Sequence, residues 1–303
     1  MNNGICKYLI ITLLSIATFC LTSCTKDPEY EQGEYLYLNQ DLTKVDLVNG
    51  LVIRWNDTMG ISEEQKVVVR QIVANLVKVE GGEFMMGAQH TDAEGIQYDP
   101  EALDGESPVH QVSLSDYYIG KYEVTQQEWR AVMGNDLDWT SYYGSGDRMP
   151  AYRLTWTDAN NFVTRLSLMT HLDFQVPTEA QWEFAARGGN SSQQYRFSGS
   201  DDVNAVAWHK NNAGGMLHNV GEKQPNELGL YDMSGNLWEW CRDSYNEYTT
   251  EFYPDPLFSW GEPYVLRGGS WTYFPTYCRV TARDSYSDQP SIANGFRVSL
   301  QIP

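Results

Sequence analysis

The segment Asp232-Met-Ser-Gly-Asn-Leu-Trp-Glu239 places a carboxylate, main-chain carbonyls around a Gly235 turn and a second carboxylate within eight residues. Hard cations take oxygen ligands of this kind, so the turn can wrap one. The plainer alternative is that Asp232 only orders the turn while Glu239 pairs with a nearby arginine. Thiol chemistry has few candidates. Beyond the N-terminal region only Cys241 and Cys278 remain. They can form a disulfide, stay as two buried thiols or make a reactive site, and their spacing does not choose among these. The five histidines show no H-E-x-x-H spacing, and no G-x-S-x-G nucleophile turn is present.

A different chemistry is suggested by Trp271-Thr-Tyr-Phe-Pro-Thr-Tyr277 followed by Arg283-Asp-Ser-Tyr-Ser-Asp288. Tyrosine offers large contact area with few torsions to freeze, and small hydroxyl residues make adaptable hydrogen bonds, which is the composition of recognition surfaces. Trp271, Tyr273, Phe274, Tyr277 and Arg283 are the expected contact residues. The alternative is a solvated loop whose aromatic side chains turn into the core.

Elements that would position these residues are sparse. Ser62-Glu-Glu-Gln65 matches a capping box and opens a helix with an apolar face of Val67, Val68, Val69, Ile72, Val73 and Leu76. From Val77 the texture changes to short strands, Val77–Glu80 and Gln111–Leu114, separated by Gly, Asn, Asp and Pro. Helices are expected from Thr125-Gln-Gln-Glu128 to Met133, from a Thr157 cap to about Met169, and from Pro177-Thr178 to Arg187, ended by Gly188-Gly189. Beyond Arg187 the chain is rich in Gly, Asn and aromatic residues, with Trp208, Trp238, Trp240 and Trp271 as anchors for long structured loops.

The N-terminus carries Lys7, an apolar run from Tyr8 to Ala17 and Leu21-Thr-Ser-Cys24, which looks like a lipobox. The run is about half of the ~20 residues needed to span a bilayer, so residues 1–23 read as a lipoprotein signal peptide and Cys24 as the lipidated residue. Residues 24–35 then form a charged tether, residues 36–76 an extension with one helix packed on the main domain, and residues 77–303 that domain. The expected place is the cell envelope, lipid-anchored to the outer membrane. With 40 Asp and Glu against 21 Lys and Arg, the chain carries a formal net charge of −19. That charge repels nucleic acid, which is excluded as a partner.

Taken in order, Val79-Glu-Gly-Gly-Glu-Phe-Met-Met-Gly87, Glu123-Val-Thr125 with Trp129, Pro177-Thr-Glu-Ala-Gln-Trp-Glu-Phe-Ala-Ala-Arg187, Gly229-Leu-Tyr-Asp-Met-Ser-Gly-Asn-Leu-Trp-Glu-Trp240, Arg267-Gly-Gly-Ser-Trp271 and Asn294-Gly-Phe-Arg297 resemble the formylglycine-generating enzyme family, the sulfatase-modifying-factor domain. The resemblance implies a C-type-lectin-like α+β fold with little regular secondary structure, a small antiparallel sheet core and flanking helices. It also implies structural Ca2+ at Asp232, Gly235, Leu237 and Glu239. The family's second calcium site, near Val206-Ala-Trp208, lacks its side-chain ligand here. The family oxidase binds copper with two cysteines five positions apart after the Arg-Gly-Gly-Ser motif. Cys278 matches the second and is the only catalytic candidate, while Tyr273 stands at the first, and a phenol does not replace a soft thiolate for Cu(I). Copper is therefore not expected. Iron-dependent sulfoxide synthases share the domain but draw iron ligands from a helical domain for which residues 25–76 are too short.

The C-terminal segment also resembles the variable region of retroelement-diversified ligand-binding lipoproteins. The expected function is thus binding of a protein, small-molecule or glycan ligand by a membrane-anchored domain without the copper dithiol. Two alternatives stand beside it: an oxidoreductase modifying a protein cysteine or another substrate, and a structural subunit of an envelope secretion or motility assembly.

Overall fold

The computed structural model describes residues 45–302, so the signal segment, Cys24 and the tether lie outside the described residues. The first described element is a hairpin, absent from the expected elements, of β1 (Val45–Val48) with β2 (Leu51–Arg54). Its turn is Asn49-Gly50, with φ of 54° and 75°, the pair of positive angles that a two-residue hairpin requires. Asn49 Nδ2 donates to the carbonyls of Val73 (3.2 Å) and Leu76 (2.7 Å), which ties the hairpin to the end of α1 (Glu63–Ala74). The Ser62–Gln65 capping box that opens α1 is formed, and the helix buries Val69, Ile72 and Val73.

The remaining strands are short because loops interrupt the chain every few residues. β3 (Leu76–Val79), β6 (Tyr117–Gly120), β13 (Ser299–Gln301) and β7 (Phe174–Gln175) lie side by side in that order. β4 (Gly82–Met86), β5 (His110–Leu114) and β9 (Tyr253–Pro254) make a second sheet. The third runs in the order β11 (Arg283–Tyr286), β10 (Tyr264–Arg267), β8 (Trp238–Ser244), β12 (Asn294–Gly295). Most pairs are antiparallel, but β8–β12 and β5–β9 are parallel.

Three further helices flank the sheets. Thr125 and Glu128 cap α2 (Gln126–Met133) as expected. The cap of α3 (Trp156–Thr170) lies two residues before the expected one. Thr155 is its N-cap because Asp158, at the third helical position, reaches back to the Thr155 amide, whereas the Thr157 amide donates to Asp288. α4 (Glu179–Ala186) is capped by Thr178 and Gln181, and Gly188, at φ 92°, lies just past its end. A short α5 (Val203–Val206) follows Asp202. Trp129, Phe162 and Phe296 pack ring on ring between α2, α3 and the C-terminal segment.

Every residue of α4 is buried, including two carboxylates one turn apart. Such burial requires partners, and the arginines of the later motifs supply them. Arg283 donates to both oxygens of Glu179 at 2.7 and 2.8 Å. Glu183 receives the Gly87 amide at 2.9 Å, Arg187 Nε at 2.9 Å and the guanidinium of Arg267. Arg279 is held in the same way by Glu106, at 2.6 and 2.7 Å. Buried ion pairs of this kind join segments far apart in the chain and fix how the loops meet.

Candidate functional site

Strand alternation decides which side chains share a face. On β8, Trp238 and Trp240 point one way and Glu239 and Cys241 the other. Register extends the division. Leu266 pairs with Trp240 and with Asp284, whereas Arg267 pairs with Glu239 and with Arg283. Arg267 and Arg283 therefore reach toward α4, and Asp284 and Tyr286 lie on the face of Trp238 and Trp240. Tyr286 sits 6.3 Å from the Trp240 ring, centroid to centroid.

The loop after Gly269 covers that tryptophan face and ends in a short turn, Pro275–Cys278. Tyr273 meets Trp238 edge-on at 5.5 Å and Tyr277 at 5.4 Å. Burial, followed by the charge of Asp284, pushes the Tyr273 phenol above its ordinary value. Phe274 is 52% exposed, with Lys210 Nζ 4.3 Å from its ring centre. The indole N–H of Trp238 is buried beneath this patch without a hydrogen-bond partner.

The structure divides the five aromatic and arginine residues expected to act together. Tyr273, Phe274 and Tyr277 do share one partly exposed patch. Trp271 does not join them. It is 6% exposed, packs with Tyr143 at 5.8 Å and donates to the Ile292 carbonyl, as a strut under the loop. Arg283 is also buried, bound to Glu179 and stacked on Tyr248 at 3.9 Å. Arg283–Tyr286 is a strand, so Arg283 and Asp284 must face opposite ways. Asp284 and Tyr286 were the residues missed, because four residues, Arg-Asp-Ser-Tyr, carry no readable apolar alternation.

Both thiols are free and buried, which selects the middle of the three sequence possibilities. Burial pushes the Cys278 thiol up to about 12 and raises that of Cys241 far above its usual range. A thiol so protonated is a poor nucleophile at neutral pH.

The acidic turn is deeply buried. Asp232 Oδ2 accepts the Gly221 amide at 2.7 Å, while its Oδ1 is buried with no partner. Burial raises the Asp232 carboxyl to about 6. Gly235, at φ 82°, has no room for a Cβ, which would fall 2.4 Å from the Trp208 carbonyl oxygen. Glu239 makes the arginine pairing open from the sequence: Arg297 donates to its two oxygens at 2.6 and 2.7 Å, and Trp182 Nε1 donates at 2.7 Å. Glu123 is a third buried carboxylate here, accepting from Asn236 Nδ2 and the Leu237 amide. Burial and then the charges of Asp232 and Glu239 raise Glu123 well above the usual carboxylate range. Among the described residues no three Asp, Glu, His or Cys side chains converge as a metal cage.

Comparison with known proteins agrees with this architecture. A family model for the sulfatase-modifying factor enzyme 1-like domain matches residues 62–302, which includes α1. The chain is 32% identical over 210 residues to the Chaperone protein LppX of Paenibacillus barcinonensis, covering 53% of this chain and 71% of that one. It is 29% identical over 290 residues to the formylglycine-generating enzyme of Streptomyces coelicolor, covering 73% and 87% respectively. Treponema denticola variable protein 1, a solved structure, superposes with a TM-score of 0.65 at 29% identity, over 75% of this chain and 95% of that one. With the motifs, the fold and the family match in agreement, the chain belongs to the formylglycine-generating-enzyme, or sulfatase-modifying factor, domain family.

Proposed function

We propose that this chain is an envelope lipoprotein that binds a protein or glycan partner through the aromatic patch of Tyr273, Phe274, Tyr277, Asp284 and Tyr286, and is not a copper oxidase. The observation that carries the reading is the exchange at one place: Tyr273 stands at the first thiolate position of the resembled oxidase, Cys278 is sealed in the core, and the same loop presents aromatic side chains. Likeness to a protein named for its variability supports recognition as the task of this face. Anchoring through Cys24 belongs to the same proposal; among the described residues no helix is long and apolar enough to cross a membrane.

Photo-crosslinking groups placed at Phe274 and Tyr286 of the full-length protein in its native membrane are expected to give a discrete adduct that a group at Val67 on α1 does not give. Alanine at Tyr286 should weaken capture about tenfold, the usual effect of losing one aromatic anchor. The absence of any face-specific adduct would sink the reading.

Cu(I) competition gives a separate expected result. Wild type and Cys278→Ala should bind the metal equally weakly, since one buried protonated thiol is no soft dithiolate. Tight one-to-one binding lost in the variant would restore the oxidase.

Calcium forms the last part of the proposal. The Asp232 oxygen without a partner and the close Gly235 turn suit a hard cation held by Asp232 and the carbonyls of Gly235 and Leu237. Glu239, committed to Arg297, would complete the charge around it. The ion would supply structural neutralisation of the buried carboxylates.

A further inference from the structure

On the α4 side of the third sheet, away from the aromatic patch, a cavity of about 470 Å³ opens between β8, β5 and the loop from Asn246 to Trp260. Asp243 lies in its wall and is 3% exposed. Its oxygens accept the main-chain amides of Glu179 at 2.8 Å and Phe258 at 3.1 Å, and it has no ion-pair partner among the described residues. Burial, then the charge of Glu179, raises this carboxyl to about 7. A buried carboxyl without a counter-ion that faces an open cavity is an unmet electrostatic demand.

The neighbouring Arg283 meets that demand only in part, its charge counteracting less than burial and Glu179 impose. Arg283 directs Nε and Nη2 to Glu179, gives Nη1 to the carbonyls of Gly105 and Asn246, and lies against Tyr248 and Tyr245. Its charge is answered by Glu179. The exposed Glu247 adds a further negative group to the rim, so the cavity as a whole favours a cation. Its outer wall is aromatic. Tyr253 meets Phe258 edge-on at 5.3 Å, Phe258 lies 5.7 Å from Trp260, and Trp260 is 71% exposed. Aromatic faces attract cations and stack on rings. A second polar point is also open, since Asn246 Nδ2 is buried with no partner.

We propose that this cavity binds a small organic cation, a primary ammonium on an aromatic body, with the ammonium at Asp243 and the ring against Tyr253, Phe258 and Trp260. The assignment stands independently of the recognition patch, which lies on the opposite face of the sheet. Size agrees with it, because binding cavities for small ligands begin at about 300 Å³.

Calorimetry on the full-length protein near pH 8 with phenethylamine, against its uncharged counterpart 2-phenylethanol, tests the charge requirement. The amine should bind at least ~10-fold more tightly than the alcohol. Asp243→Asn, which keeps an oxygen for one of the two amides, should remove that preference while leaving alcohol binding unchanged. Trp260→Ala alters an exposed side chain and should weaken both compounds, so it carries the test of the ring position if the Asp243 variant fails to fold. Equal affinity for amine and alcohol, an amine affinity unaltered in a folded Asp243→Asn, or no binding of the amine at all would each overturn the proposal.

Discussion

Glu183→Ala is expected to cost the domain about 3–5 kcal/mol, the usual penalty for leaving a buried charge without its partner. Arg267 is fully buried, and its guanidinium lies between Glu183 and the carbonyls of Thr281 and Ala282. Removing the carboxylate leaves that charge inside the protein and frees Arg187, which also binds Glu183. Urea unfolding should show a lower midpoint with an unchanged slope. The double variant Glu183→Leu with Arg267→Met should recover much of the loss, because an apolar pair of similar volume needs no desolvation of charge. A single variant within about 0.5 kcal/mol of wild type would show that this pair does not secure α4. Acidification gives a second readout. Burial alone would raise the Glu183 carboxyl, but Arg187 and Arg267 hold it below its ordinary 4.5. A carboxylate depressed in the folded state contributes stability above its unfolded value, and that contribution is lost as pH falls through the folded one. Glu183→Gln should therefore flatten the loss of stability in acid.

Calcium is expected to raise the unfolding temperature of the wild-type protein, with a gain of about 2.7 kcal/mol when the free ion reaches a hundred times its dissociation constant. Asp232, Glu123 and Glu239 gather around one arginine, Arg297, so the folded state carries buried negative charge in excess. An oxygen-liganded cation would offset it. Asp232→Asn keeps an acceptor for the Gly221 amide and removes one charge. In chelator it should stabilise the domain by on the order of 1–2 kcal/mol, since a carboxyl raised by burial is destabilising once ionised. In calcium the same variant should respond less than wild type, because ligand charge sets affinity at such sites. Identical melting of the wild type in calcium and in chelator would remove the ion from the proposal.

Much of the architecture was legible in the chain because it rests on local chemistry. The capping boxes at Ser62, Thr125 and Thr178 are reciprocal bonds between residues three apart, and each appears as a helix start. The ordered motifs around Glu183, Glu239, Arg267 and Arg297 identified the family because their side chains are the paired charges of the interior. The displaced start of α3 illustrates the limit of the same logic. Thr155 and Thr157 are both plausible caps locally, and Asp288, more than a hundred residues away, occupies the second.

The sequence by itself determined the family, through its ordered motifs, and the acidic balance of the chain. Only the tertiary structure decided which side chains share a surface. β11 is a four-residue strand whose pairing with β10 turns Arg283 inward to Glu179 and leaves Asp284 on the opposite face with Tyr286, which lies beside Trp240. A period of two cannot be read from so short a segment when Tyr, Ser and Asp serve a loop equally well. The same reason holds for Trp271, Cys278 and Asp243. Their burial, and so their chemistry, depends on contacts with segments that are close only after the chain has folded.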